Sequence, residues 1–121
     1  MSADSFSSAA SLPELLERAA KRHPERGVAL FDRRARNCER RSYPELLAAA
    51  RQSAGRWAAL GVEPGDRVFC CLPSSWNLVD AWLGALLRGA LPVAVAPPAG
   101  LGSSGAALRH LDDAVASLTP P

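Results

Sequence analysis

Lysine is nearly absent. Lys21 is the single lysine in 121 residues, and no Gly-x-x-x-x-Gly-Lys run exists. A Walker-type phosphate loop is thereby excluded. Cysteine is scarce as well: Cys38, Cys70 and Cys71 form an odd set without regular spacing. Such a set is not the disulfide framework of a secreted protein. There is no Cys-x-x-Cys pair and no His-x-x-x-His pair, so no zinc site is expected. Cys70 and Cys71 are neighbours, and on a strand they would point to opposite faces and could not share a metal. They read as two small buried hydrophobes, and a reduced, cytoplasmic setting is expected. Excess charge is missing too. The formal net charge of +2 gives no reason to expect nucleic acid or an acidic membrane surface as partner. The longest apolar stretch, residues 76–91, is interrupted by Asp80 and Arg88 and is too short to span a bilayer. Residues 1–10 are rich in Ser and Ala but lack a basic start and an apolar run. They read as a disordered tail and not as a signal peptide.

What is present is ordinary globular material, with 48% hydrophobic and 21% charged residues. The length allows one small domain with a modest core. Ser11-Leu12-Pro13-Glu14 is a capping-box pattern, and Leu12, Leu15, Leu16 and Ala19 follow at helical spacing. Pro24 stops that helix near His23. Residues 27–31 predict a strand, 33–37 a polar turn, and 39–42 the returning arm of a hairpin. A second capping box, Ser42-Tyr43-Pro44-Glu45, opens a helix. Its apolar stripe is Leu46, Leu47, Ala50, Ala54, Trp57, Ala58 and Leu60. Gly61 suits a left-handed cap, and Val62-Glu63-Pro64-Gly65-Asp66 suits a turn.

Residues 67–72 are apolar without alternation, as in a strand covered on both faces. Ser75 can cap a helix over 76–87, apolar on so wide a face that it should be largely buried. Gly89 ends this helix, and 91–96 predict a second strand without alternation. Strand, helix and strand within about thirty residues make a βαβ unit with parallel strands. The helices after Ser42 and from Trp76 are expected to supply part of the cover that the pair needs on both faces. Beyond Pro97-Pro98 and a Gly/Ser-rich loop, a last amphipathic helix is predicted over 106–118. The fold class is therefore α/β, a partial parallel sheet with a βαβ unit flanked by helices. No strand follows the last helix, and two parallel strands with a hairpin make a thin sheet with exposed edges. Residues 11–118 thus read as an incomplete domain, and 119–121 as a truncated end.

Five segments, in order, carry a resemblance. They are Ser42-Tyr43-Pro44-Glu45-Leu46; Leu60 through Val68, with Gly61, Pro64, Gly65 and Asp66; Leu72-Pro73-Ser74-Ser75; Leu83 through Leu87; and Arg88-Gly89-Ala90-Leu91-Pro92-Val93. Together they resemble the start of the adenylate-forming superfamily: acyl-CoA synthetases, fatty acyl-AMP ligases and peptide synthetase adenylation domains. Pro97-Pro98 and the Gly-rich insert lean toward the fatty acyl-AMP ligases. The resemblance implies that a carboxylate attacks the α-phosphate of ATP, giving an acyl-adenylate and pyrophosphate. The acyl group then passes to a thiol, coenzyme A or phosphopantetheine. Mg²⁺ and phosphate-binding donors would spread the charge. The matched segments are the family's structural front end. Its phosphate loop, its aromatic-Gly-x-Thr-Glu segment, its ribose-binding Asp and its C-terminal lysine would all come later. Lys21 matches neither family lysine. No catalytic, cofactor-binding or metal-binding residue is therefore assigned, and ATP, Mg²⁺ and the thiol are expected for the complete enzyme only.

The remaining candidates each have a plainer reading. Gly102-Ser103-Ser104-Gly105 could hold an anion ahead of a helix, but it lacks the Thr and Pro-Lys of the family loop and reads as a connector. Arg33, Arg34, Arg36, Arg40 and Arg41 could form a nucleic-acid patch. Without interleaved aromatics they read as a solvated turn. His23 and His110 lack a nucleophile partner. Trp57, Trp76 and Trp82 are expected in the core. Asp112 and Asp113 point about a quarter-turn apart and face solvent. The first expectation is the N-terminal segment of a carboxylate-activating ligase, inactive alone and able to dock to the rest of such an enzyme. The alternative is a free-standing, non-catalytic interaction module derived from one.

Overall fold

The computed structural model describes residues 10–31, 36, 38–96, 109, 112–113 and 115–117. The first helix, α1, spans Leu12–Arg22. The Ser11 hydroxyl accepts the Glu14 N–H at 3.2 Å, and the Glu14 carboxylate accepts the Ala10 N–H at 2.8 Å. The first bond satisfies a donor that the helix start leaves orphaned, and the second ties Glu14 to the residue before the cap. His23 is the C-cap, its N–H reaching the Ala19 carbonyl at 2.8 Å.

Strands β1 (Gly27–Phe31) and β2 (Cys38–Ser42) pair antiparallel, with Gly27 opposite Ser42 and Phe31 opposite Cys38. Ser42 ends β2 and also caps α2 (Tyr43–Ala59), so the hairpin passes into the helix without a connector. After a turn come β3 (Arg67–Cys70), α3 (Trp76–Arg88) and β4 (Leu91–Ala94). β3 and β4 are parallel, with Arg67 beside Leu91 and Cys70 beside Ala94. This is the expected βαβ unit. Residues 109, 112–113 and 115–117 are helical and exposed, Asp112 and Asp113 among them. The rest of the helix predicted over 106–118 lies outside the described residues.

Three expectations need correction. The hairpin does not join the parallel pair, and each forms its own two-stranded sheet. The strands stop short of residues 72 and 96: the Val95 N–H to Cys70 carbonyl bond at 3.1 Å closes the ladder. The helix after Ser42 does not cover the parallel pair. It packs mainly on α3, and α3 alone makes substantial contact with β3 and β4.

The α2–α3 crossing explains that preference. Ala50, Ser53, Gly84 and Ala85 are all buried there. A Cβ added at Gly84 would collide with the Ser53 side chain, so the two backbones approach as closely as small residues allow. The Trp57 indole N–H donates to the Ala81 carbonyl at 2.9 Å on the same flank. The core is accordingly built of small side chains, with Leu46 and Leu47 its largest buried aliphatics. Trp57, Trp76 and Trp82 are only half-buried, as are Leu78, Val79, Leu83, Leu86 and Leu87. α3 is largely buried as expected, with Asn77 its single exposed residue, while the three tryptophans sit at the margin of the core. One flank of α3 packs on α2, and the apolar residues of its other flank are partly covered.

Candidate functional site

Two features stand out where the family-like motifs fall. The first is a junction between the turn before β3 and the turn before β4. Gly65 and Gly89 both have a left-handed φ of +89°, which only glycine adopts without strain. The Gly65 N–H donates to the Gly89 carbonyl at 2.8 Å, and the Leu91 N–H donates to the Asp66 carbonyl at 2.7 Å. Arg88 Nε donates to the Val62 carbonyl at 2.8 Å, while its guanidinium lies 3.5 Å from the Glu63 carboxylate. The Asp66 carboxylate accepts the Glu63 N–H at 2.8 Å and fixes the turn. Thus Gly61-Val62-Glu63-Pro64-Gly65-Asp66 and Arg88-Gly89-Ala90 together set the register of the parallel strands.

The second feature is an open apolar groove of about 670 Å³ between α1 and α3. Leu12, Leu15, Leu16, Ala19, Trp82 and Leu83 line it, with His23, Arg26 and Tyr43 at its polar end. Those last three are tied through the backbone. The Arg26 N–H donates to the His23 carbonyl at 3.0 Å, and the Tyr43 N–H donates to the Arg26 carbonyl at 2.7 Å. Glu25 lies 3.8 Å from His23 and 3.9 Å from Arg26. A smaller cleft of about 320 Å³ runs along Leu78, Val79, Trp82, Leu83 and Ala94. Trp82 and Leu83 belong to both, so the apolar surface runs continuously from α1 across α3 to β4.

The chain matches the AMP-binding enzyme family over residues 16–117. This protein belongs to that family. Its relatives include the 2-hydroxy-7-methoxy-5-methyl-1-naphthoate–CoA ligase of Streptomyces carzinostaticus, 40% identical over 87 residues. The match covers 72% of this chain and 15% of that ligase. The salicyl-AMP ligase / salicyl-S-ArCP synthetase of Mycobacterium tuberculosis is 36% identical over 101 residues, covering 83% of this chain and 17% of the relative. Among solved structures, the fatty acid AMP ligase of Legionella pneumophila superposes with a TM-score of 0.80 at 25% identity. That match covers 93% of this chain and 19% of the ligase. The chain thus spans less than a fifth of each of these three proteins. Its fold is the N-terminal region of an adenylate-forming ligase.

Among the described residues no group of three or more His, Cys, Asp and Glu side chains is placed to hold a metal ion. No chemical step is assigned to these residues. His110 and Gly102 to Gly105 lie outside the described residues, as do Arg33 and Arg34. Including Gly100, that loop spells Gly-x-Gly-x-x-Gly, a spacing sequence analysis passed over and one that is weak by itself.

Arg41 is not part of a solvated turn. Its guanidinium pairs with the Asp80 carboxylate at 2.9 Å and lies 4.4 Å from the centre of the Trp76 ring. Both partners are half-buried, so the pair fastens the hairpin to α3. Arg40 donates to the Glu25 carbonyl. Arg40 and Arg41 therefore serve the fold. No helix among the described residues is long and apolar enough to cross a membrane.

Cys38 is exposed, Cys71 half-buried and Cys70 buried, and all three are free thiols. Burial pushes the Cys70 thiol above its ordinary value of 9.0. A folded-state value above the unfolded one favours the fold below pH 9 and withdraws that support as the pH rises further. Under native conditions at pH 8, iodoacetamide is expected to label Cys38 first and Cys70 last, read by peptide mass spectrometry. Equal labelling of Cys70 and Cys38 would show that β3 is open.

Proposed function

We propose that this chain is the N-terminal segment of an ATP-dependent ligase that activates a carboxylic acid as its acyl-adenylate. The segment acts as scaffold and not as catalyst. The observation that carries this is the use made of the family-like residues. Gly65, Asp66, Arg88 and Gly89 are engaged in hydrogen bonds that align β3 with β4. In the complete enzyme ATP would supply the adenylyl group, Mg²⁺ would balance the phosphate charge, and coenzyme A or phosphopantetheine would accept the acyl group. The relatives named above act on aryl acids or fatty acids, and the proposal extends to a carboxylic acid of either kind. A reducing, cytoplasmic setting is part of the same proposal and suits three free thiols.

The 121-residue chain is expected to give no ATP–pyrophosphate exchange with fatty or aryl acids. Exchange above the no-enzyme rate with any of them would overturn the scaffold reading.

One observation favours a second reading, a free-standing non-catalytic module. Among the described residues no buried side-chain polar atom lacks a hydrogen-bond partner. Satisfied buried polar atoms are what an independently folding module requires, and a single cooperative unfolding transition of the chain would support that reading.

A further inference from the structure

We infer that the last turn of α1, the turn at 23–26 and the outer face of the hairpin form a docking surface for an acidic protein segment. The inference goes beyond the scaffold reading, because none of these residues belongs to the junction of turns. It begins with an uneven distribution of charge. Residues 18–41 hold nine of the fourteen basic residues and three of the twelve acidic ones, a net +6. The remaining residues sum to −4. The overall +2 therefore conceals one strongly basic region.

The fold gathers part of that region at one end. Lys21 and Arg22 occupy the last turn of α1. The bond from the Arg26 N–H to the His23 carbonyl, at 3.0 Å, closes the turn that follows, and the Arg26 side chain is 68% exposed. Along the hairpin, side chains alternate between the two faces. Arg41 points inward to Asp80 and Trp76. Arg40 therefore points outward, and its guanidinium reaches the Glu25 carbonyl at 2.5 Å. Arg36, just ahead of β2, is exposed as well. Over the described residues 21–26 and 36–40, five cations stand against two acids, Glu25 and Glu39. Whatever pairs they form, a positive excess is left. The dipole at the end of α1 accounts for Lys21 and Arg22, but not for Arg26, Arg36 or Arg40.

The chemistry favours a protein over other polyanions. Four of the five cations are arginines, whose forked guanidinium binds a carboxylate through two parallel hydrogen bonds. Arginine is also enriched, and lysine depleted, at protein interfaces. Glu25 is 68% exposed in the midst of the patch. An anionic bilayer or a nucleic-acid backbone presents one sign only and would repel it. A protein segment can set a cation of its own against Glu25 while its carboxylates meet the arginines.

The test titrates the 121-residue chain into a fluorescein-labelled Glu-Ser repeat peptide and follows fluorescence anisotropy. Binding that weakens as salt is raised is expected. Arg22→Glu, Arg26→Glu and Arg36→Glu made together should weaken it at least about tenfold. Arg51→Glu, Arg56→Glu and Arg67→Glu made together change the net charge equally, at exposed positions elsewhere. They should weaken it less than about twofold. Arg26→Glu alone should weaken it about threefold, and it carries the test should the first triple variant lose the circular dichroism of the parent. An absence of peptide binding at low salt would overturn the inference. Equal losses in the two triple variants would overturn it as well, since the peptide would then sense net charge and not this surface. So would tighter binding of phosphatidylglycerol vesicles or of duplex DNA by the same residues, which would assign the surface to another class of partner.

Discussion

Gly84→Leu is expected to destabilise this chain by about 3 kcal/mol or more. Gly84 sits mid-helix in α3, where glycine is otherwise unfavourable by about 1 kcal/mol relative to alanine. Propensity alone would make Gly84→Ala stabilising. The crossing reverses that sign. A Cβ at Gly84 would overlap the Ser53 side chain and lie 2.9 Å from the Ala54 nitrogen. Ala50 and Ala85 beside it are fully buried and have no room to move aside. Overpacking of about 1–3 kcal/mol outweighs the propensity gain, so even Gly84→Ala should lose about 1 kcal/mol. A small domain holds only about 5–10 kcal/mol in total, so both losses are easily read in urea unfolding followed by circular dichroism. A raised urea midpoint for Gly84→Ala would mean that α2 and α3 do not approach as described.

That crossing could not have been read from the sequence, and the reason is physical. Ser11, Ser42, Ser75, Gly61 and Gly89 announce helix ends because their hydrogen bonds are made within four residues. The helices began and ended within a residue or so of expectation for that reason. Hairpin and βαβ unit were legible as well, since each joins neighbours in the chain. Which unit packs on which is decided by long-range contacts. An apolar strand run says that cover is needed but not what supplies it. Hence the single thin sheet became two, and the α2 helix went to Gly84 and not to β3 and β4.

The candidate site was legible in part. The family resemblance was visible in Gly61 to Asp66 and in Arg88 to Ala90, yet the use of those residues was not. Arg88 in a last helical turn reads as a cation at the dipole's negative end. Its bond to the Val62 carbonyl joins positions 26 residues apart. Arg41 misled for the same reason, its partner Asp80 lying 39 residues along the chain. The groove was foreshadowed by the wide apolar face of α3, because an apolar surplus shows in composition while its exposure does not.

Gly89→Ala should cost about 2 kcal/mol, and a series of glycines shows why. Gly55 lies within α2 with nothing inside 4 Å of where a Cβ would stand. Gly55→Ala should therefore stabilise by roughly 0.5–1 kcal/mol through helix propensity. Gly61 also has open space but a φ of +90°. Gly61→Ala should then lose about 1 kcal/mol from the left-handed backbone alone. Gly89 combines both penalties. Its φ is +89°, and its Cβ would stand 3.2 Å from Pro64 Cβ. Relief would push the two turns apart and lengthen the Gly65 to Gly89 hydrogen bond, now 2.8 Å. That bond and its neighbour from Leu91 to Asp66 hold the register of β3 and β4, so the loss should reach the sheet. Amide exchange of Leu91 and Val95 is expected to accelerate in Gly89→Ala and to stay unchanged in Gly61→Ala. If the two variants proved equally stable and equally protected, the junction of turns would be incidental. The family-like glycine would then serve helix termination and nothing more.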